Sequence, residues 1–96
     1  MTENERIFRV RLKITGRVQG VYYRAAALQR AQTLGLTGWV MNCPDGSVQA
    51  IAEGPRLKLD EFIAWCHRGP SEARVAQVEV NWEAAENTFR GFTIRH

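Results

Sequence analysis

The sequence has few of the residues that build metal centres and disulfide frameworks. Its 96 residues include two histidines and two cysteines. Cys43 and Cys66 form neither a C-x-x-C pair nor a metal-ligand spacing, and His67 and His96 are far apart in the chain, so we expect no metal site. We expect two free thiols in a reducing compartment. A disulfide is the alternative, because the sequence does not show whether the two Cα atoms come within ~7 Å of each other.

Long apolar runs and basic blocks are missing as well. No apolar run approaches the ~18 residues of a membrane span, and the start, MTENERIF, lacks the apolar core of a secretory signal. We therefore expect a cytoplasmic protein with no membrane partner. The net charge is +3, but the basic residues are scattered along the chain. The charge therefore favours an anionic partner without identifying it.

The composition that is present fits one globular domain. The sequence is 45% hydrophobic and 24% charged, which is typical of a folded chain with a single core. A chain of this length can bury roughly 60–65% of the surface that it exposes when unfolded. We predict that residues 1–96 form a single domain and that the protein is a monomer.

Hydrophobic periodicity divides the first half of the chain into three strands and a helix. Residues 7–15, IFRVRLKIT, alternate apolar and basic side chains, the pattern of a half-buried strand. Residues 22–34 follow a helical spacing. Residues 36–42 and 47–53 then indicate two strands of a hairpin, joined by the turn CPDG.

The second half adds a helix, a strand and a short last strand. Pro55 is expected at the first position of the helix, which Gly69 and Pro70 end. The order strand–helix–strand–strand–helix–strand is the signature of the ferredoxin-like split βαβ sandwich, an α+β fold. It predicts an antiparallel sheet with two helices on one face and a short fifth strand at the end. The residues expected to face inward on the last two strands are Ala76, Val78, Val80 and Trp82, then Phe92 and Ile94.

This topology brings together two segments that are distant in the sequence. The first two strands are parallel, and the third lies antiparallel between them, so the C-terminal ends of the first two meet at one edge of the sheet. The stretch GRVQGVYYR, residues 16–24, follows the first strand, and Asn42 ends the second. We expect these segments to face each other.

The stretch 16–24 is a glycine-bearing loop that runs into the N-terminus of a helix. Free backbone N–H groups and the helix dipole there suit a phosphate or carboxylate, although a plain tight turn is the simpler alternative. Arg24 opposes the dipole at a cost of ~0.3–1 kcal/mol where exposed. Either Arg24 is a solvated surface residue, or a bound anion offsets this cost. The planar guanidinium can donate parallel hydrogen bonds to two phosphate oxygens. Gly20 would let the backbone approach that anion closely.

The polar residues around this loop also allow two interpretations. Asn42 either closes its strand through its own side-chain turn or accepts a hydrogen bond from a water molecule and so orients it. Gln19 is expected to bond within the loop, and Tyr22 and Tyr23 are expected to pack. The tryptophans are expected to pack as well, with a floor for the site as the alternative role of Trp39.

The predicted site lacks the groups of the common hydrolase mechanisms. It has no Ser/His/Asp or Cys/His constellation, no Walker glycine–lysine pair and no carboxylate pair for metals, and Asp45 fits a turn. A hydrolase of this kind must attack a phosphoryl group whose leaving group needs no protonation. A carboxylate, with a pKa near ~4, is such a leaving group. The combination indicates acyl phosphates as substrates.

The same residues resemble the acylphosphatase family. GRVQGVYYR is similar to the first signature of that family, and GWVMNCPDGSVQAIAEG, residues 38–54, is similar to the second. GPSEARVAQVEV and the closing GFTIR extend the likeness over nearly the whole chain. The resemblance implies a ferredoxin-like fold and hydrolysis of the carboxyl–phosphate anhydride of acyl phosphates to a carboxylate and inorganic phosphate, without metal or cofactor.

The resemblance also implies which residues form the site. Arg24 corresponds to the phosphate-binding arginine and Asn42 to the water-positioning asparagine, so phosphate and other anions are expected to inhibit. Tyr23 stands where members usually carry phenylalanine, and its added hydroxyl needs a partner if buried. The backbone phosphate cradle corresponds to Val18, Gln19, Gly20, Val21, Tyr22 and Tyr23.

Two other classes of function are alternatives to this one. The same topology hosts RNA-recognition domains, but the third strand carries no aromatic residue and the Lys/Arg-Gly-aromatic pattern is absent, so no nucleic-acid partner is expected. The second is a non-catalytic anion-binding module, or the acylphosphatase-like domain of larger carbamoyl-transferring maturation proteins. The length of the chain, that of one domain, favours a free-standing enzyme.

Overall fold

The structure is a computed structural model that describes residues 6–96. A five-stranded sheet carries two helices against one face. The strands are β1 (Phe8–Arg17), β2 (Thr37–Asn42), β3 (Val48–Gly54), β4 (Arg74–Glu83) and β5 (Phe92–Arg95), and the helices are α1 (Tyr23–Thr33) and α2 (Arg56–Arg68). The strand order is β4-β1-β3-β2-β5. The first four strands pair antiparallel, as predicted, but β5 runs parallel to β2, so the ferredoxin-like sheet is mixed.

The core lies between the sheet and the helices, and β1 contributes several of its residues. Val10, Leu12 and Ile14 are fully buried on the face that the alternation predicts. Fully burying side chains of this size stabilises the fold by roughly 1.5–3 kcal/mol each. The helices contribute further buried residues, which are Tyr23, Ala27 and Ala31 from α1 and Leu59, Phe62 and Cys66 from α2.

A β-bulge changes which residues of β4 face inward. The register of β1 against β4 shifts between Thr15 and Gly16. Beyond the shift Val75 packs against the core and Ala76 is exposed, so the predicted inward position of Ala76 is wrong. Gly16 suits the bulge because its φ is 121° and a Cβ there would overlap the carbonyl oxygen of Arg74.

The start of α2 also differs from the prediction. Pro55 has an extended backbone, with φ −62° and ψ 146°, and is the N-cap of the helix, whose first helical residue is Arg56. Pro55 accepts the first helical hydrogen bond at its carbonyl, from the amide of Leu59 at 3.0 Å. Within residues 6–96, no helix is both long and apolar enough to cross a membrane.

The topology places the carboxyl ends of three strands at one edge of the sheet. Since β3 is antiparallel to both β1 and β2, those two strands run in the same direction, and β5 runs with them. The strands end at Arg17, Asn42 and Arg95 respectively. The loop of residues 18–22, which leads into α1, therefore lies beside the ends of β2 and β5.

Candidate active site

The loop between β1 and α1 contains two residues with left-handed backbone. Gly20 has φ 73°, and Tyr22 has φ 65° and ψ 23°. Glycine adopts this conformation readily, whereas a non-glycine residue pays on the order of 1–3 kcal/mol. Tyr22 is the N-cap of α1, but no side chain of residues 6–96 caps the helix. Among these residues, the first-turn N–H groups are left for a ligand or solvent. Its side chain is 79% exposed, so the prediction that Tyr22 packs is wrong.

Gln19 fastens this loop to the turn between β2 and β3. Its Nε2 group donates to the carbonyl oxygens of Cys43 and Ser47, both at 2.8 Å. The predicted hydrogen bond within the loop is therefore wrong. Gln19 instead joins the two segments that were expected to face each other, and it fixes the loop relative to the end of β2.

The turn itself is held by Asp45. Its Oδ1 atom accepts hydrogen bonds from the Ser47 amide at 2.9 Å and the Ser47 hydroxyl at 2.6 Å. The Lys13 ammonium lies 3.2 Å from its Oδ2 atom. The hydrogen bonds from Ser47, followed by the contact with Lys13, lower the pKa of Asp45 to about 2. Asp45 thus has the turn-forming role that the sequence predicts.

A cavity of about 420 Å³ opens at this edge of the sheet. It lies among the loop, the first turn of α1 and the ends of β2 and β5. Its lining includes Arg24 and Asn42, which the topology was expected to bring together. None of its lining residues has an acidic side chain. The lining residues are Val18, Gly20, Tyr22, Tyr23, Arg24, Ala25, Asn42, Ile94 and His96.

Two residues of the predicted cradle are not part of this lining. The side chain of Gln19 turns to the β2–β3 turn, and Val21 is buried in the core. Trp39 does not line the cavity either, and the guanidinium of Arg95 lies 4.7 Å from its ring centroid. Trp39 and Asn42 alternate to opposite faces of β2, so a floor formed by Trp39 is ruled out.

Asn42 and Arg24 both present polar groups that the described protein does not satisfy. The Oδ1 atom of Asn42 is buried and has no hydrogen-bond partner. A buried acceptor without a partner costs ~1–3 kcal/mol, and a side-chain turn would have satisfied it. Arg24, the second residue of α1, is half-buried and takes part in no salt bridge within residues 6–96. Both side chains are therefore available to a ligand.

Tyr23 anchors the end of the loop in the core. Its hydroxyl donates to the Cys66 carbonyl at 2.7 Å, which is the partner that the added hydroxyl needs. Its ring centroid lies 5.4 Å from that of Trp65, and burial raises the pKa of the hydroxyl. Cys66 is a free, buried thiol whose pKa is raised by burial to about 12, and Cys43 is also free, as predicted.

The wall formed by β5 was not found from the sequence. Val40 of β2 pairs with Ile94, and Met41 pairs with Arg95. Asn42 and His96 follow this last pair in the chain, and both line the cavity. The alternation around Ile94 indicated a strand but not its neighbour in the sheet. Finding this wall would have required knowing that the last strand pairs parallel with β2. The alternation of only four residues does not indicate that pairing.

The fold and the cavity define a ferredoxin-like α+β protein with a site suited to an anion at the edge of its sheet. Comparison with known proteins narrows this class. Residues 10–94 match the family described as Acylphosphatase. An acylphosphatase of Rubrobacter xylanophilus is 51% identical over 87 residues, which cover 91% of this chain and 79% of that protein. The chain belongs to the acylphosphatase family, and it is an enzyme that hydrolyses acyl phosphates.

Solved structures support the same assignment. The crystal structure of acylphosphatase from Bacillus subtilis superposes with a TM-score of 0.90 at 31% sequence identity, covering 93% of this chain and 99% of that one. The crystal structure of full-length HypF in its phosphate- and nucleotide-bound form superposes with a TM-score of 0.84 at 23% identity, and the matched part is 12% of that chain. At that identity the likeness to HypF concerns the fold.

Proposed function

We propose that Arg24, the backbone of the loop Val18–Tyr23 and Asn42 carry out the hydrolysis of acyl phosphates. The observation that carries this proposal is the meeting of three features in one cavity. These are the half-buried Arg24, the N-terminus of α1 and the Oδ1 atom of Asn42, and within residues 6–96 no side chain caps that terminus or bonds to that atom. The first two suit a phosphoryl group, and the third suits a water molecule.

Arg24 and the backbone amides bind the phosphoryl oxygens. The guanidinium offers parallel N–H donors, and the first-turn amides of α1 add donors at the positive end of the helix dipole. Because the side chain of Gln19 is engaged with Cys43 and Ser47, only its backbone amide can serve the cradle. The helix dipole disfavours the charge of Arg24 in the free protein. When an anion is bound, the dipole and Arg24 both attract it.

Asn42 directs the attacking water. Its Oδ1 atom accepts a hydrogen bond from one water O–H group and so aims an oxygen lone pair at phosphorus, in line with the acyl oxygen. The new P–O bond forms as the bond to the acyl oxygen breaks, and the carboxylate leaves with that electron pair. It needs no proton, because its pKa is near ~4. Both protons of the attacking water, including the one hydrogen-bonded to Asn42, stay with the phosphate product, which leaves as H2PO4− and exchanges them with solvent.

Charge stabilisation supplies most of the catalysis in this scheme. The donors of Arg24 and the loop are already in place when charge develops on the phosphoryl oxygens, so little reorganisation accompanies the reaction. The carboxamide of Asn42 does not accept the proton of water at neutral pH. Its contribution is therefore to the orientation of the nucleophile.

Turnover of benzoyl phosphate by two variants tests this scheme. Asn42→Ala should lower kcat by roughly 10²–10³, by analogy with other preorganised groups, and leave competitive inhibition by phosphate nearly unchanged. Arg24→Ala should lower kcat and also weaken phosphate inhibition. Asn81→Ala and Arg90→Ala, at exposed positions outside the cavity, are the matched controls. Turnover near that of the wild type in both site variants would overturn the proposal.

We also propose that residues 1–96 act as a single-domain monomer. One continuous core supports this, and so does the Cα radius of gyration of 12.6 Å. A compact chain of this length has a radius of gyration of roughly 12.5 Å. Sedimentation equilibrium should give a mass of 10.9 kDa, and twice that mass would contradict the proposal.

A further inference from the structure

We propose that the outer part of the cavity binds the acyl group of the substrate and that the ring of Tyr22 favours aromatic and extended apolar acyl groups. This subsite rests on the proposed function, in which Arg24 and the loop hold the phosphoryl group. The reaction is unchanged by it. The subsite decides which acyl phosphates are hydrolysed most efficiently.

The cavity is larger than a phosphoryl group requires. Its volume of about 420 Å³ falls in the range of roughly 300–1,000 Å³ that is typical of sites for small organic ligands. Arg24 and Asn42, which would hold the phosphoryl group and the water, are only half-exposed. Tyr22 and His96 are exposed, so they lie at the mouth. The space at the mouth is what the acyl group would fill.

The walls of this outer part suit a hydrocarbon or an aromatic ring. Tyr22 lines it from the loop, Ile94 from β5 and His96 from the residue after β5. Aromatic and branched apolar side chains pack well against an aromatic ring, in stacked or edge-to-face arrangements. An acyl group of one methyl is too small to reach both the loop and β5.

The backbone of Tyr22 points to a selected role for its ring. With φ 65° and ψ 23° the residue lies where glycine is favoured, and Gly20 in the same loop has the corresponding φ of 73°. A glycine at position 22 would therefore enter the helix with less strain. Packing in the core does not offset this strain, because Tyr22 is 79% exposed and lines the cavity. A strained residue at a site is a reason to look for a function of its side chain.

The selectivity between two substrates tests the subsite. The quantity to measure is kcat/KM for benzoyl phosphate divided by kcat/KM for acetyl phosphate. Tyr22→Gly should lower this ratio about tenfold, the loss expected for an aromatic contact and its buried area, and the variant fits the left-handed backbone, so folding is preserved. Tyr22→Phe, which keeps the ring, should stay within about twofold of the wild type. Leu57→Ala, at an exposed position of α2, is the control outside the cavity.

The possible outcomes separate this inference from the proposed function. If Tyr22→Gly hydrolyses both substrates and phosphate still competes, but the ratio stays within about twofold of the wild type, the subsite is wrong and the proposed function stands. If the wild-type protein hydrolyses neither substrate, or phosphate does not compete, the proposed function fails and the subsite fails with it. A tenfold fall in Tyr22→Gly that Tyr22→Phe does not show supports the subsite.

Discussion

Gln19 lies 24 residues before Cys43 in the chain, yet its side-chain amide donates to the carbonyl of that residue at 2.8 Å. A second bond from the same nitrogen reaches Ser47 at 2.8 Å. A glutamine in a loop usually finds a partner nearby, and the sequence alone favours that interpretation. Only the approach of the β2–β3 turn to the loop shows that Gln19 holds together the two halves of the site.

Replacing Gln19 should therefore affect both stability and phosphate binding. Gln19→Ala leaves the carbonyls of Cys43 and Ser47 without these donors, so the free energy of unfolding should fall by ~1–3 kcal/mol. The inhibition constant for phosphate should rise, because the loop is no longer fixed against β2. Urea unfolding and phosphate inhibition measure the two effects, with Gln32→Ala on the exposed side of α1 as control. Wild-type values for both quantities in Gln19→Ala would show that the hydrogen bonds from Gln19 are not needed.

At the scale of the elements, alternation and helical spacing predicted which segments are strands and helices, with errors of a few residues at their ends. The two larger differences come from contacts between elements. The bulge at Gly16 brings Val75 inward in place of Ala76, and no pattern within β4 indicates it. Glu53 was expected on a strand, but two of its partners, the amides of Glu86 and Asn87, lie in the connection between β4 and β5.

Glu53 ties the connection between β4 and β5 to the sheet. Its carboxylate accepts hydrogen bonds from Arg9 Nε at 2.7 Å and from the amides of Glu86 at 2.9 Å and Asn87 at 3.0 Å. The residue is 1% exposed. Burial alone would raise the pKa of this carboxyl, but the hydrogen bonds from the Glu86 amide and from Arg9 outweigh burial and lower that pKa. The charged form is therefore the one that the fold stabilises.

Glu53→Gln should destabilise the protein most at neutral pH. It removes the counter-charge nearest to the buried guanidinium of Arg9, which keeps Glu86 at 3.2 Å and Glu83 at 3.9 Å. The loss should therefore be smaller than the ~3–5 kcal/mol of a buried pair that is broken completely. The folded-state pKa of Glu53 is lowered. Its contribution to the free energy of unfolding is therefore complete above the unfolded pKa of about 4.3 and is lost as the pH falls through the folded-state pKa. Urea unfolding at several pH values between about 7 and 3 should show a smaller acid-induced loss in the variant than in the wild type.

Glu72→Gln is the control for that series, because Glu72 is exposed in the connection between α2 and β4. Its unfolding free energy should follow that of the wild type at every pH. A Glu53→Gln variant as stable as the wild type at neutral pH would contradict the role of the buried pair.

At the scale of the whole molecule, the direction of the strands assembles the site. Because β1, β2 and β5 run in the same direction, their carboxyl ends bring the loop, Asn42 and Ile94 to one cavity. The order of elements was enough to predict that Arg24 and Asn42 face each other. It did not predict the wall from β5, since a four-residue strand does not encode its neighbour. The meeting of Arg24 and Asn42 in the cavity was thus predictable, and the wall from β5 was not.

The central claim is that water, oriented by Asn42, attacks phosphorus while Arg24 and the loop hold the phosphoryl group. Hydrolysis of benzoyl phosphate in ¹⁸O-enriched water tests it most directly, with mass spectrometry of both products after enzymatic turnover. The label should appear in inorganic phosphate and be absent from benzoate, because the bond that breaks joins phosphorus to the acyl oxygen. Label in benzoate would place the attack at the carbonyl carbon and contradict the account.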